Sequence, residues 1–107
     1  MSDTRVSFVI EHWQNKLEIK HYQVICQRIS PMQVCDNALQ RGHEFVGISA
    51  DHKNCIACLY HTRKLQTADI IHELLHVKYP AWTENQVNDE MYRLLTQQKY
   101  GEEVYKN

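Results

Sequence analysis

The sequence predicts an α+β domain in which a small, mostly antiparallel three-stranded sheet packs on three helices. Three observations carry this. Helical apolar spacing recurs in three separate segments, and three short runs rich in β-branched and aromatic residues lie between the first segment and the second. No repeat, low-complexity tract or Gly/Ser linker divides the chain. At 107 residues there is material for one modest core and not for two, so residues 1–107 read as a single domain.

The first helix is expected over "TRVSFVIEHWQNKL", where Val6, Val9, Ile10, Trp13 and Leu17 recur at helical spacing after a Ser or Thr start. "EIKHYQVICQRIS" alternates through Tyr22, Val24 and Cys26 as a strand does, and Ser30-Pro31 ends it. "PMQVCDNALQRG" fits either a short helix or an irregular excursion closed by Gly42. "EFVGISA" and "CIACLYH" flank the turn-rich "DHKN" and read as a hairpin. "LQTADIIHELLHVKY" is the second helix, with Thr67 as N-cap, Asp69 favourable in the first turn and Pro80 as the stop. The third opens on a capping box of Thr83 and Gln86 and runs through Val87, Met91, Leu94 and Leu95 towards Gly101. Trp82 and Tyr92 are expected to pack this helical hairpin, and "EEVYKN" to be loose or to lie across the surface.

Composition narrows the classes of partner. The net charge is −1 and Lys and Arg are scattered, so no electrostatic footprint for nucleic acid is present. No run approaches the roughly 20 apolar residues that span a bilayer, and "MSDTRVSFVIEHW" lacks the pattern of an export signal. A cytoplasmic protein is expected. In that setting Cys26, Cys35, Cys55 and Cys58 are expected to be reduced and to act as small apolar filling. The CxxC spacing of "NCIACLY" falls in a strand, where residues three apart point to opposite faces, and no second CxxC completes a zinc ribbon.

The segment "HELLH" carries the chemistry. On a helix turning about 100° per residue, His72 and His76 lie about 40° apart, so both imidazoles reach a single ion. Glu73 sits on the adjoining flank, near enough to a metal-bound water to serve as general base without displacing a ligand. Ile70, Ile71, Leu74, Leu75 and Val77 fill the rest of the arc and anchor the helix in the core. This is the pattern of an open catalytic zinc site, which needs a third protein ligand and leaves one position for water. Glu84, in the first turn of the next helix, is the first candidate for that ligand. Glu90 competes with it, as do water, His52 and His61. Asn88, one turn after Glu84, is placed to orient a ligand by hydrogen bonding. Of the seven histidines, His12, His21, His43, His52 and His61 show no mutual metal spacing, while His61 and Tyr79 are further candidates to stabilise an oxyanion.

"HELLH" followed by "ENQVNDEMYRLL" resembles the gluzincin pattern of HExxH with a downstream glutamate helix. It is similar in particular to the ImmA/IrrE-type metallopeptidases and the minigluzincins, with Glu84, Val87, Asn88, Met91, Leu94 and Leu95 in register and Glu90 replacing the usual aromatic residue. The resemblance is specific over residues 70–95. It implies a zincin-like fold in which an edge strand before the active-site helix, here "CIACLYH", binds an extended substrate by main-chain pairing. The expected function is therefore a zinc-dependent metallopeptidase that cleaves a protein or peptide, with His72, His76 and Glu84 on Zn2+ and Glu73 as base. Latency imposed by a regulatory partner or by the segment after Gly101 is part of that expectation. The alternative is a non-enzymatic interaction module, either zinc-stabilised or free of metal.

Overall fold

The computed structural model describes residues 3–30 and 44–106, with side chains over 5–30 and 44–97. The ambiguous segment "PMQVCDNALQRG", with Cys35, and His43 lie outside the described residues. Six elements follow in order: α1 (Asp3–Lys16), β1 (Gln23–Arg28), β2 (Val46–Asp51), β3 (Ile56–His61), α2 (Thr67–Lys78) and α3 (Glu84–Lys106).

The α+β class holds, with a correction to the sheet. Its strand order is β1-β3-β2. β2 and β3 form the expected antiparallel hairpin, with Val46 opposite His61 and Asp51 opposite Ile56. β1 instead pairs parallel to β3, from Gln23 beside Ile56 to Arg28 beside His61, so the sheet is mixed rather than mostly antiparallel. The hairpin is encoded locally. The Asp51 carboxylate accepts from the Asn54 backbone N–H at 3.2 Å and from its side-chain amide at 2.8 Å, and Cys55 turns the chain with a φ of 56°. Which edge of that hairpin β1 joins, and in which direction, is a non-local choice that no local pattern carries.

Strand alternation divides the sheet into two faces. Ala57 and Leu59 of β3 point into the core and are fully buried, while Ile56, Cys58 and Tyr60 on the other face are half-covered. The core joins them to Ile10, Trp13 and Leu17 of α1, to Ile70, Ile71, Leu74, Leu75 and Val77 of α2, and to Val87 and Met91 of α3. α2 touches α1, α3 and β2, and so stands at the middle of the helical layer. The turn after α1 is tied by Gln14, whose amide donates to the carbonyls of Ile19 at 3.2 Å and Tyr22 at 2.7 Å.

Four local expectations change. The N-cap of α2 is Gln66 rather than Thr67. Asp69 determines this by accepting the Gln66 N–H at 2.9 Å, while Arg63 donates to both Asp69 oxygens at 2.7 and 2.8 Å. This guanidinium holds the Asp69 carboxyl below the usual carboxylate range. The segment after Gly101 is not loose, because α3 continues through Lys106. Tyr92 is 64% exposed and does not pack the helical hairpin. Cys26 is exposed on β1 rather than buried: it shares the core-facing side of the strand with Val24 and stands beside Leu59, but the cover over this edge strand reaches Val24 and stops short of it. The Thr83 cap is as expected: Gln86 N–H donates to Thr83 Oγ1 at 3.2 Å and Thr83 N–H to Gln86 Oε1 at 2.8 Å. Among the described residues no helix is long and apolar enough to cross a membrane.

Candidate metal centre

α2 divides as its sequence dictates. Ile70, Ile71, Leu74, Leu75 and Val77 are buried, and His72 and His76 stay half-exposed on the opposite flank, their ring centroids 4.9 Å apart. The helix ends at Tyr79, whose N–H donates to the Leu75 carbonyl at 2.8 Å. Its ring stacks on Trp82 at 3.8 Å with the planes only 6° apart, and Trp82 N–H closes the turn on the Tyr79 carbonyl at 3.0 Å. Tyr79 therefore acts in the reversal, where the sequence had offered it as an oxyanion donor. This tight reversal sets the first turn of α3 over the last turns of α2.

Glu84 is brought by that reversal to both imidazoles. Its Oε1 lies 3.0 Å from His72 Nε2 and its Oε2 lies 3.0 Å from His76 Nε2. One donor atom from each of the three residues falls within 4.8 Å of the others. Three donors about 2.1 Å from a tetrahedral ion stand about 3.4 Å apart, so adjustments of no more than about 1.5 Å admit one. Two imidazoles and a carboxylate also form a donor set suited to zinc in kind. The Nε2 atoms that meet Glu84 are the same atoms that would ligate, so a proton and a cation compete for each of them.

Glu73 differs from its neighbours. It is 8% exposed, the one charged side chain that is buried among the described residues. Burial pushes its carboxyl up to about 8, and the charges of Glu84 and Asp69 add to the shift. An acid tuned in this way accepts and returns a proton near neutral pH.

His72, Glu73, His76, Val77, Pro80 and Glu84 form one wall of a cleft of about 480 Å³ whose other wall is Phe45, Val46, Gly47, Ile48, Ala50 and His52. The second wall is β2 and its flanks. This corrects the expectation that "CIACLYH" would border the site as an edge strand. That segment is β3, paired on both sides, with no edge left to offer, whereas β2 is an edge strand. The Phe45 end of β2 is fastened by buried Thr62, which accepts the Phe45 N–H at its Oγ1 at 2.8 Å and donates its own N–H to the Phe45 carbonyl at 2.9 Å. The Phe45 ring folds over Gly47, where an added Cβ would meet it at 2.5 Å.

The other candidates are placed apart from the trio. Glu90 is paired with the Arg93 guanidinium, its Oε1 accepting from Arg93 Nε at 2.8 Å. Asn88 is half-buried one turn beyond Glu84 and is not among the residues lining the cleft. His61 turns its Nδ1 towards the Arg63 carbonyl at 2.8 Å. His52 lines the cleft on the side of β2. Sequence reasoning missed the part of β2, and the available signal was Gly47: a glycine inside a strand pattern marks close approach of another group.

Comparison of the chain with protein families, with curated proteins and with solved structures yields no match.

Proposed function

We propose that the protein is a zinc-dependent peptidase of the gluzincin kind that cleaves an extended peptide lying along β2. The observation that carries this reading is the convergence of His72, His76 and Glu84 beside a buried Glu73 on one wall of a cleft whose other wall is an edge strand. In this reading His72, His76 and Glu84 hold the ion. Zinc, when bound, supplies Lewis acidity and lowers the pKa of water to about 7.

The chain's own residues do the rest. Edge-strand N–H and carbonyl groups of β2 pair with a peptide backbone, and Val46, Ile48, Val77 and Pro80 give the cleft apolar lining for its side chains. Glu73 removes a proton from the attacking water and returns it to the leaving amine. A cation held by the trio favours the ionised form of Glu73 and opposes the upward push of burial, which leaves the carboxylate able to act as a base at neutral pH. Asn88, if drawn towards Glu84, orients that carboxylate.

The test has two arms. Zinc content near one per chain, lost in His72→Ala, separates a zinc protein from a metal-free module. Glu73→Gln, which is nearly isosteric, should keep fold and zinc while abolishing cleavage of a denatured-protein or peptide-library substrate. A second reading rests on the direct Glu84 contacts to both imidazoles, which tie α2 to α3 and suit a structural clamp in an interaction module. Stoichiometric zinc with no cleavage by the wild-type chain would favour that reading.

A further inference from the structure

The β2 wall of the cleft ends in a polar pair that the chemistry above does not use. His52 follows β2 directly, in the turn to β3, and lines the cleft. Its Nδ1 lies 2.6 Å from the hydroxyl of Tyr22, the residue just before β1. The two rings meet edge to face, with centroids 5.8 Å apart and planes at 80°. The imidazole is therefore fixed both by a hydrogen bond and by ring packing, from a strand at the far edge of the sheet.

That contact leaves Nε2 as the ring nitrogen that Tyr22 does not engage. A tyrosine hydroxyl donates to Nδ1 or accepts from it; where it donates, the hydrogen of the neutral ring lies on Nε2. Asp51, the nearest acid in sequence, accepts from Asn54 and interacts with His52 through its charge. The result is a held imidazole at one end of a strand-lined cleft. From Phe45 to His52 the wall covers seven residue steps, about 23 Å of extended chain. An extended peptide of about eight residues would span the same distance, and a hexapeptide would cover most of it.

We infer that His52, held by Tyr22, is a substrate-contacting residue whose Nε2–H donates to a carbonyl or carboxylate oxygen at one end of a peptide lying along β2. This rests on reading the cleft as a peptide site, and it names a specificity contact away from the three metal-facing side chains. The chemistry is that of a hydrogen-bond acceptor oxygen, either in the peptide main chain or at its free C-terminus.

The experiment uses the full zinc-loaded chain carrying Glu73→Gln, so that bound peptide is not consumed. Ring ¹⁵N spectra report the His52 tautomer directly, and an alanine–leucine hexapeptide is titrated in its amidated and free-acid forms. We expect the Nε2–H tautomer in the absence of peptide, its signals shifting as peptide binds. Adding His52→Gln should weaken binding about tenfold, the scale of one good hydrogen bond, with zinc content and the unfolding midpoint unchanged. Tyr22→Phe should lose the single-tautomer signature and weaken binding about threefold. A His52→Gln penalty for both peptides assigns the acceptor to the main chain, and a penalty for the free acid alone assigns it to the terminal carboxylate. Binding that ignores His52→Gln, or no binding of either peptide, overturns the inference. If the His52 signals respond to peptide while the wild-type chain cleaves nothing, the contact stands and the peptidase reading fails. If the wild-type chain cleaves peptides with a KM that His52→Gln leaves unchanged, the contact fails alone.

Discussion

Zinc should raise the thermal stability of this chain by an amount that follows from its length and from the position of the trio. His72 and His76 belong to α2 and Glu84 to α3, so an ion held by all three is bound only when the two helices are docked. Once free zinc exceeds its dissociation constant, each further tenfold increase adds about 1.4 kcal/mol to the folded state. A chain of 107 residues unfolds with an entropy of roughly 220 cal/mol/K, so 1 kcal/mol corresponds to about 4.5 °C in Tm. The expected slope is thus about 6 °C per decade of free zinc. It can be measured by circular dichroism in chelator-buffered zinc. Glu84→Gln should move the rise to higher zinc while keeping its slope, because two imidazoles still bind. His72→Ala should flatten it across the accessible range. A flat wild-type curve would refute coupling between metal and fold, and a Glu84→Gln curve superimposed on the wild type would remove the carboxylate from the ligand set.

Other perturbations probe the frame of the site. Leu74→Ala removes a fully buried side chain from the core face of α2 and should cost about 2–5 kcal/mol in urea unfolding. Gly47→Val places a branched side chain where even a Cβ meets the Phe45 ring at 2.5 Å; a loss of about 1–3 kcal/mol and weaker peptide binding are expected. Asp69→Ala removes the reach-back contact to Gln66 and the pair with Arg63, which should cost about 1–2 kcal/mol. The pH dependence of that contribution has a definite sign. The Asp69 carboxyl lies below its ordinary value in the folded chain, so its stabilisation is fully present above the ordinary carboxylate range and is lost as pH falls through the depressed folded value. The difference in urea midpoint between wild type and Asp69→Ala should accordingly shrink in acid, and a difference constant down to pH 2 would contradict the pairing.

The parts of this protein that are written locally could be read from its sequence. α2 was visible from the run of Ile70, Ile71, Leu74, Leu75 and Val77, and its histidine flank followed from a four-residue spacing. The start of α3 was visible because Thr83 and Gln86 cap each other within one turn. Gln66 was passed over as a cap because its role depends on Asp69, whose carboxylate is aimed in turn by Arg63 from outside the helix. Cys26 was misplaced because alternation along β1 shows that it shares a face with Tyr22 and Val24 but not how far along the strand the cover over that face extends. The sheet order was illegible for a related reason. The insertion of β3 between β1 and β2 is decided by pairing between distant residues, and the wall opposite the histidines depended on that decision. Convergence of Glu84 on both imidazoles was legible as a possibility, and the Tyr79–Trp82 stack supplies the physical means.

The histidine helix also touches nearly every other part of the core, and this sets an order of events. Amide exchange along α2 should be among the slowest in the molecule, since freeing its backbone means dismantling the whole interior. Glu84 rides on the opening turn of α3, which Thr83 and Gln86 cap, and its carboxylate already meets both imidazoles. An arriving cation would therefore have to part three groups that touch one another, so that the rate of its capture would follow the opening of that contact and not the stability of the fold.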